Sequence, residues 1–162
     1  MGYNAVLTKG FFELKGSQEE LLPRLASKTL KSDGVVYFAD FGDGTIKVGM
    51  TRGPKSRVKG FWKTAESYAR SNPIRFGISP ILTNHEVVEK LLHKELSAYW
   101  VERELFRTTE EIIVQAASNV SMYVLRSCMW PACKGYFNHY GKESVQPFNN
   151  RQGMTAAPTP SI

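Results

Sequence analysis

"VVYFADFGDGTIKVGMTRGPKSR", residues 35–57, decides the fold: it reads as a strand, a glycine-flanked turn, a second strand and the first turn of a helix. A two-residue Asp43-Gly44 turn would place Tyr37 with Ile46, Val48 and Met50 on one face and Phe38 with Lys47 and Gly49 on the other, mixing polar and apolar groups on both. A three-residue loop, Gly42-Asp43-Gly44 with Gly44 left-handed behind a type I turn, shifts the pairing by one. Val36, Phe38, Ile46, Val48 and Met50 then share an apolar face, while Tyr37, Ala39, Lys47, Gly49 and Thr51 share the other. This register segregates the two classes better and is the one predicted. It sets a phenol opposite a glycine, with an ammonium and a hydroxyl beside it, on a face suited to an anion.

Pro54 fits the first turn of a helix over 54–69 that packs Val58, Phe61, Trp62, Ala65 and Ala69 on the sheet and turns Lys55, Lys59 and Lys63 outward. Arg57, one helical turn before Phe61, falls at the edge of the packed face and leans back toward Tyr37. "PIRFGISPIL" reads as a third strand. Thr83 and Glu86 have capping-box spacing for a helix to Tyr99, on which Glu89 and His93 share one face. "ELFR" is a short extended piece, and Thr108 with Glu111 caps a last helix to Arg126. Upstream, Ser17 and Glu20 form a capping box for a helix to residue 31, which Pro23 weakens.

The full chain has 162 residues, enough for one domain with a core and an appendage, and 42% hydrophobic with 22% charged residues excludes wholesale disorder. No apolar run approaches the roughly 18 residues that span a bilayer, and no signal-peptide pattern opens the sequence. The expectation is a cytoplasmic protein with reduced thiols and no membrane partner. Of the net charge of +6, residues 47–75 carry eight bases against the single acid Glu66, a local +7; the other 13 bases and 14 acids give −1. With Phe61, Trp62 and Tyr68 interleaved, such a segment fits a nucleic-acid surface as well as a solvated helix face over core aromatics.

The order hairpin, helix, strand, helix, with Val35-Val36-Tyr37, Lys47-Val48-Gly49, Arg57 and Glu89 in sequence, resembles the GIY-YIG endonuclease superfamily. It is most similar to a phage-type branch in which the second motif often reads Lys-Ile-Gly followed by Thr, and a later helix carries Glu-x-x-Leu-His. Here these are "IKVGMT" and "EKLLH", followed by "ELF" where that branch has Glu-Trp-Phe. The resemblance covers residues 34–107. It implies an α/β (α+β) domain over 34–126 with a small three-stranded antiparallel sheet flanked by helices. The resemblance gives no account of the first 33 residues or the last 55; from their own composition and patterns, 1–33 read as an N-terminal helical extension, 127–146 as a Cys/aromatic appendage and 147–162 as a disordered tail.

The resemblance further implies metal-dependent hydrolysis of DNA phosphodiester bonds, with magnesium, or else manganese, held mainly by Glu89. Arg57 would hold the nonbridging oxygens, and Tyr37 would orient or deprotonate the attacking water. Lys47 stands where many members have a second tyrosine; it either lowers the Tyr37 pKa and contacts phosphate, or marks a domain that binds without cutting. His93 serves the metal or a proton transfer, or is a packed or capping residue. Thr51, Arg52, Lys55, Lys59 and Lys63 are the expected nucleic-acid contacts. Taken singly, Tyr37 reads as a half-buried strand aromatic, Arg57 as a surface arginine and Glu89 as the partner of Lys90 or Arg103.

Two rival functions stand beside cleavage: a non-catalytic nucleic-acid-binding module of the same fold, and a phage-encoded protein-interaction or inhibitor protein. Cys128, Cys133 and His139 are irregularly spaced and have no evident fourth zinc ligand, so buried thiols are the reading. Tyr136, Phe137, Tyr140 and Lys142 would extend the nucleic-acid surface by stacking.

Overall fold

The structure, a computed structural model, describes residues 10–125. The expectations for Cys128, Cys133, His139, the aromatic residues beside them, the 127–146 appendage and the 147–162 tail lie outside the described residues.

Six strands form one antiparallel sheet: β1 (Leu14–Gly16), β2 (Val35–Asp40), β3 (Thr45–Thr51), β4 (Arg75–Ile78), β5 (Trp100–Glu102) and β6 (Leu105–Arg107), in the order β1-β4-β2-β3-β6-β5. Three strands were expected, β2, β3 and β4, and they form the centre. The added edge strands are three residues each, too short for an alternation of side chains to show in sequence. Five α-helices are described: α1 (Gln18–Leu21), α2 (Pro54–Lys59), α3 (Phe61–Ser67), α4 (His85–Glu95) and α5 (Glu110–Asn119).

The central hairpin pairs Val36 with Met50, Tyr37 with Gly49, Phe38 with Val48 and Ala39 with Lys47, the register a three-residue loop requires. Phe41 N–H donates to the Thr45 carbonyl at 3.1 Å and closes the loop. Gly44 is left-handed at φ 90°, but so is Gly42 at 82°, which excludes the type I turn expected ahead of it. Asp43 fastens the loop by accepting from Thr45 N–H at 3.0 Å and by pairing with Arg70 at 2.9 Å.

Each face of the sheet carries its own helical layer. Val36, Phe38, Ile46 and Val48 pack against Val88 and Leu92 of α4 and Ile113 and Ala117 of α5. Val35, Tyr37 and Ala39 pack against Val58 of α2 and Phe61 and Ala65 of α3. The Tyr37 face is therefore a core face, with Lys47 and Gly49 themselves buried in it, and not the open anion-binding face expected. Apolar helix stripes arrive on both sides, so even its polar positions are roofed.

Local chemistry corrects several boundaries. The helix expected over 54–69 divides at Gly60, and Tyr68 N–H to Ala65 O and Arg70 N–H to Ala65 O end α3 early, with Ala69 left-handed at φ 59°. Only one of two adjacent aromatics reaches the sheet, so Phe61 is buried and Trp62 is 52% exposed. The Ser17–Glu20 capping box is present, but Pro23 tightens the chain into a 3-10 turn, Leu22–Arg24. The N-terminal segment is thus one helical turn plus a sheet strand, β1. Thr109, not Thr108, caps α5, accepting from Ile112 N–H at 3.4 Å. Asn84 precedes α4 in place of a Thr83 box, and its side chain instead bonds Tyr123 O and Leu125 N.

Gly77 lies under the Phe38 ring across the β2–β4 pair, where an added Cβ would sit 2.1 Å from Phe38 Cε2. Phe38 is fully buried, so its ring cannot move aside into solvent. Gly77→Ala is expected to cost about 3 kcal/mol in denaturant unfolding, as overpacking of a filled core does. A loss below about 1 kcal/mol would mean this core is looser than its burial indicates.

Candidate active site

Gly49 is the structural reason that Tyr37 and Lys47 can meet. A Cβ there would stand 2.8 Å from Lys47 Nζ and 2.9 Å from Tyr37 Oη, so both polar ends occupy the space a side chain would fill. Lys47 Nζ lies 5.6 Å from the Tyr37 ring centroid, and Arg57 Cζ lies 6.0 Å from it. Phe61 meets the same ring edge to face at 6.0 Å, which fixes its plane.

The electrostatics of Tyr37 differ from expectation. Burial raises its pKa above the ordinary phenol value; Arg57 pulls it back, and the carboxylates of Glu104 and Glu89 push it further up. The penalty for burying a phenolate outweighs the neighbouring cations, so Tyr37 stays protonated at neutral pH. Lowering by Lys47, one of the expected effects of that residue, is not what the structure gives.

Glu89 and His93 belong to α4, on the opposite layer. They reach the site past the end of β6, which pairs with Thr45, Ile46 and Lys47; at Val48 the N–H goes to Glu104 O at 3.1 Å and the carbonyl is left for His93. His93 Nε2 donates to the Val48 carbonyl at 2.8 Å, and a carbonyl can only accept, so this nitrogen carries the proton. The same nitrogen is 3.4 Å from Glu89 Oε2, and the ring packs 5.3 Å from Phe106. Glu89 is 7% exposed, and burial raises its pKa; His93, Lys47 and Lys90 oppose that rise, while Glu104 adds to it.

Arg57, on α2, is half-buried, and its guanidinium makes no hydrogen bond or ion pair among the described residues. It borders a groove of about 460 Å³, with Lys47 and Glu104 beside it and Thr64, Tyr68 and Arg103 across. Lys47 is ion-paired to Glu104. Arg103 stacks on Tyr68, Cζ 3.9 Å from the ring centroid, and its backbone is left-handed at φ 47°, which costs a non-glycine residue about 1–3 kcal/mol.

Tyr37, Lys47 and Arg57 thus come together, and Glu89 and His93 approach them from the sheet edge. The expected nucleic-acid contacts lie apart from the groove. Thr51 Oγ1 accepts from Gly53 N–H at 3.0 Å and so serves the turn into α2. Arg52 donates to the Lys31 carbonyl. Lys59 and Lys63 are exposed, and Lys63 Nζ lies 5.5 Å from the ring of exposed Trp62. Arg103 pairs with Glu102 at 3.7 Å and not with Glu89. Sequence reading missed Glu104 and Tyr68 as groove residues, although Glu104 opens the "ELF" stretch that matches the branch's Glu-Trp-Phe.

The T5orf172 domain family matches residues 34–121, more than half of the chain. The chain belongs to the T5orf172 domain family. T5orf172 domains are GIY-YIG/HNH-like, endonuclease-type domains, a nuclease-like and nucleic-acid-related class. The T5orf172 match runs from β2 through α5 and takes in every residue of the candidate site, leaving β1 and α1 outside it. No curated protein and no solved structure matches the chain. No described helix is long and apolar enough to cross a membrane.

Proposed function

We propose that the protein is a metal-dependent GIY-YIG-type endonuclease that hydrolyses DNA phosphodiester bonds, of the phage-type branch with Lys-Val-Gly as its second motif, acting in the cytoplasm. The observation that carries this reading is that a guanidinium with no hydrogen bond or ion pair among the described residues borders a groove with Lys47, while a neutral phenol and a buried carboxylate lie close enough to feel one another's charge.

Glu89 suits a magnesium or manganese ion. Its carboxylate is buried and destabilised in its charged form, and among the described residues its one close ionisable neighbour is His93 Nε2 at 3.4 Å, whose proton is directed to Val48 O, so it has lone pairs to give. No group of three or more His, Cys, Asp or Glu gathers among the described residues, and magnesium needs only one or two carboxylates. Bound there, the ion would neutralise charge developing on the phosphate and leaving oxygens. Arg57 presents a planar set of donors to the nonbridging oxygens, and Lys47 adds a point charge at the groove floor. Tyr37, protonated, orients the attacking water by hydrogen bonding and does not take its proton. His93 fixes the Glu89 side of the site through its bond to Val48 O.

The second reading, a binding module without turnover, is favoured by the neutralisation of Lys47 by Glu104. A plasmid assay separates them. Nicking or linearisation that requires magnesium or manganese and stops with chelator is the expected result. Salt-sensitive DNA binding with no cutting under any divalent ion would leave the module. Failure to bind DNA at low salt, with capture of a protein partner, would leave the interaction or inhibitor reading.

A further inference from the structure

We propose that Glu104 is a positioning residue for the cleavage reaction, holding the Lys47 ammonium beside the Tyr37 hydroxyl and surrendering it to the DNA phosphate that enters the groove. The inference rests on the nuclease reading above and deepens it, because it assigns a role to the first residue of the "ELF" stretch, to which the resemblance gave none.

Lys47 is sunk in the sheet with 6% of its side chain exposed, whereas Glu104 is 44% exposed at the groove. A nearly buried ammonium needs a partner, and Glu104 is the ion-pair partner it has among the described residues. The carboxylate is aimed by its own backbone. Glu104 O accepts from Val48 N–H at 3.1 Å, and Glu104 N–H donates to Tyr68 Oη at 3.4 Å. Arg103, immediately before it, holds a left-handed conformation while its guanidinium stacks on Tyr68 and donates to Ser67 O at 3.0 Å. The β5–β6 turn therefore accepts strain in a conformation that points one carboxylate at one ammonium.

The space at Gly49 gives that pairing a consequence. Lys47 Nζ and Tyr37 Oη border the same missing Cβ, so a shift of the ammonium changes what lies beside the phenol. Arg57 borders the groove with Lys47 and has no counter-ion of its own among the described residues. A phosphate drawn in by Arg57 meets Lys47 with Glu104 as the competing anion. Glu104 thus weakens ground-state capture of phosphate and holds Lys47 ready for the more highly charged transition state, a division that favours turnover over binding.

The test uses the full chain as wild type, Glu104→Gln, Lys47→Met and the double variant. DNA affinity is measured on a labelled duplex in chelator, and single-turnover cleavage at saturating DNA with magnesium. Glu104→Gln is expected to tighten binding about threefold or more and to slow cleavage about tenfold or more; in the Lys47→Met background it changes either by less than about twofold, the signature of coupled residues. Equal effects with and without Lys47, or a cleavage rate within about twofold of wild type, would overturn the proposal. If the wild type binds DNA but never cuts, the nuclease reading fails on its own. The binding arm then decides the exchange: tightening that depends on Lys47 supports it, and tightening that does not overturns it. Circular dichroism and thermal melting confirm that each variant is folded.

Discussion

Glu89→Gln is expected to lower cleavage by at least about a thousandfold, roughly 4 kcal/mol of transition-state stabilisation, while making the metal-free protein harder to unfold at neutral pH. The second half follows from linkage. Burial raises the Glu89 pKa in the folded state above its unfolded value. The fold therefore prefers the protonated acid: its contribution to stability is full below the ordinary carboxyl pKa and is lost as pH rises through the raised folded value. At neutral pH the buried carboxylate opposes folding, and a glutamine of the same shape removes that opposition. The melting temperature of Glu89→Gln should exceed that of wild type in chelator near neutrality, with the difference closing in acid. Magnesium should raise the melting temperature of wild type and leave the variant unmoved, since a ligand stabilises only a fold that binds it. Activity should fall as pH drops through the raised Glu89 value, and added magnesium should carry that limb to lower pH, because cation and proton compete for the same oxygens. A variant that melts lower in chelator yet keeps the magnesium shift would remove Glu89 from the metal role.

The parts of this site that could be read from sequence are those set by alternation and turn chemistry. The hairpin register followed from asking which loop length segregates Val36, Phe38, Ile46 and Val48 from Tyr37, Lys47 and Gly49, and the pairing of Tyr37 with Gly49 came with it. Period alone could not say that both faces are roofed, because the helices that cover Tyr37 and Val48 reach them across long sequence separations. "ELFR" was read as extended and is β6, but its place in the sheet, and strands β1 and β5, were illegible for the same reason: three residues carry no period, and their pairing partners do not follow from it. Glu104 stood in a quoted motif, but its pairing with Lys47 could not be read, because it depends on a bulged edge hairpin that brings the two together across the sheet edge. The alternative in which Lys47 lowers the Tyr37 pKa counts nearby cations and omits the cost of burial, here the larger effect. Single helix caps were displaced by one residue where two hydroxyls adjoin, as at Thr108 and Thr109, and the side chain that finds an amide wins.

Arg57→Ala is expected to reduce the cleavage rate at saturating DNA by about a hundredfold to a thousandfold, the scale of losing one preorganised donor to a developing oxyanion. Its melting temperature should hardly move. The guanidinium is half-buried, makes no hydrogen bond or ion pair among the described residues and touches Tyr37 only through the ring face, so its removal opens no cavity and orphans no partner. Arg57→Lys should recover only part of the loss, because a single ammonium cannot span two nonbridging oxygens. The phenol offers an internal check. Arg57 is the group that lowers the Tyr37 pKa against burial, so the alanine variant raises it further. Since Tyr37 is already protonated at neutral pH, that rise adds no new limb to the neutral part of the pH profile. A loss of rate with an unchanged profile shape therefore assigns the effect to the missing donors. Should Arg57→Lys match wild type, the site needs only positive charge there, and the planar geometry of the guanidinium plays no part in the chemistry.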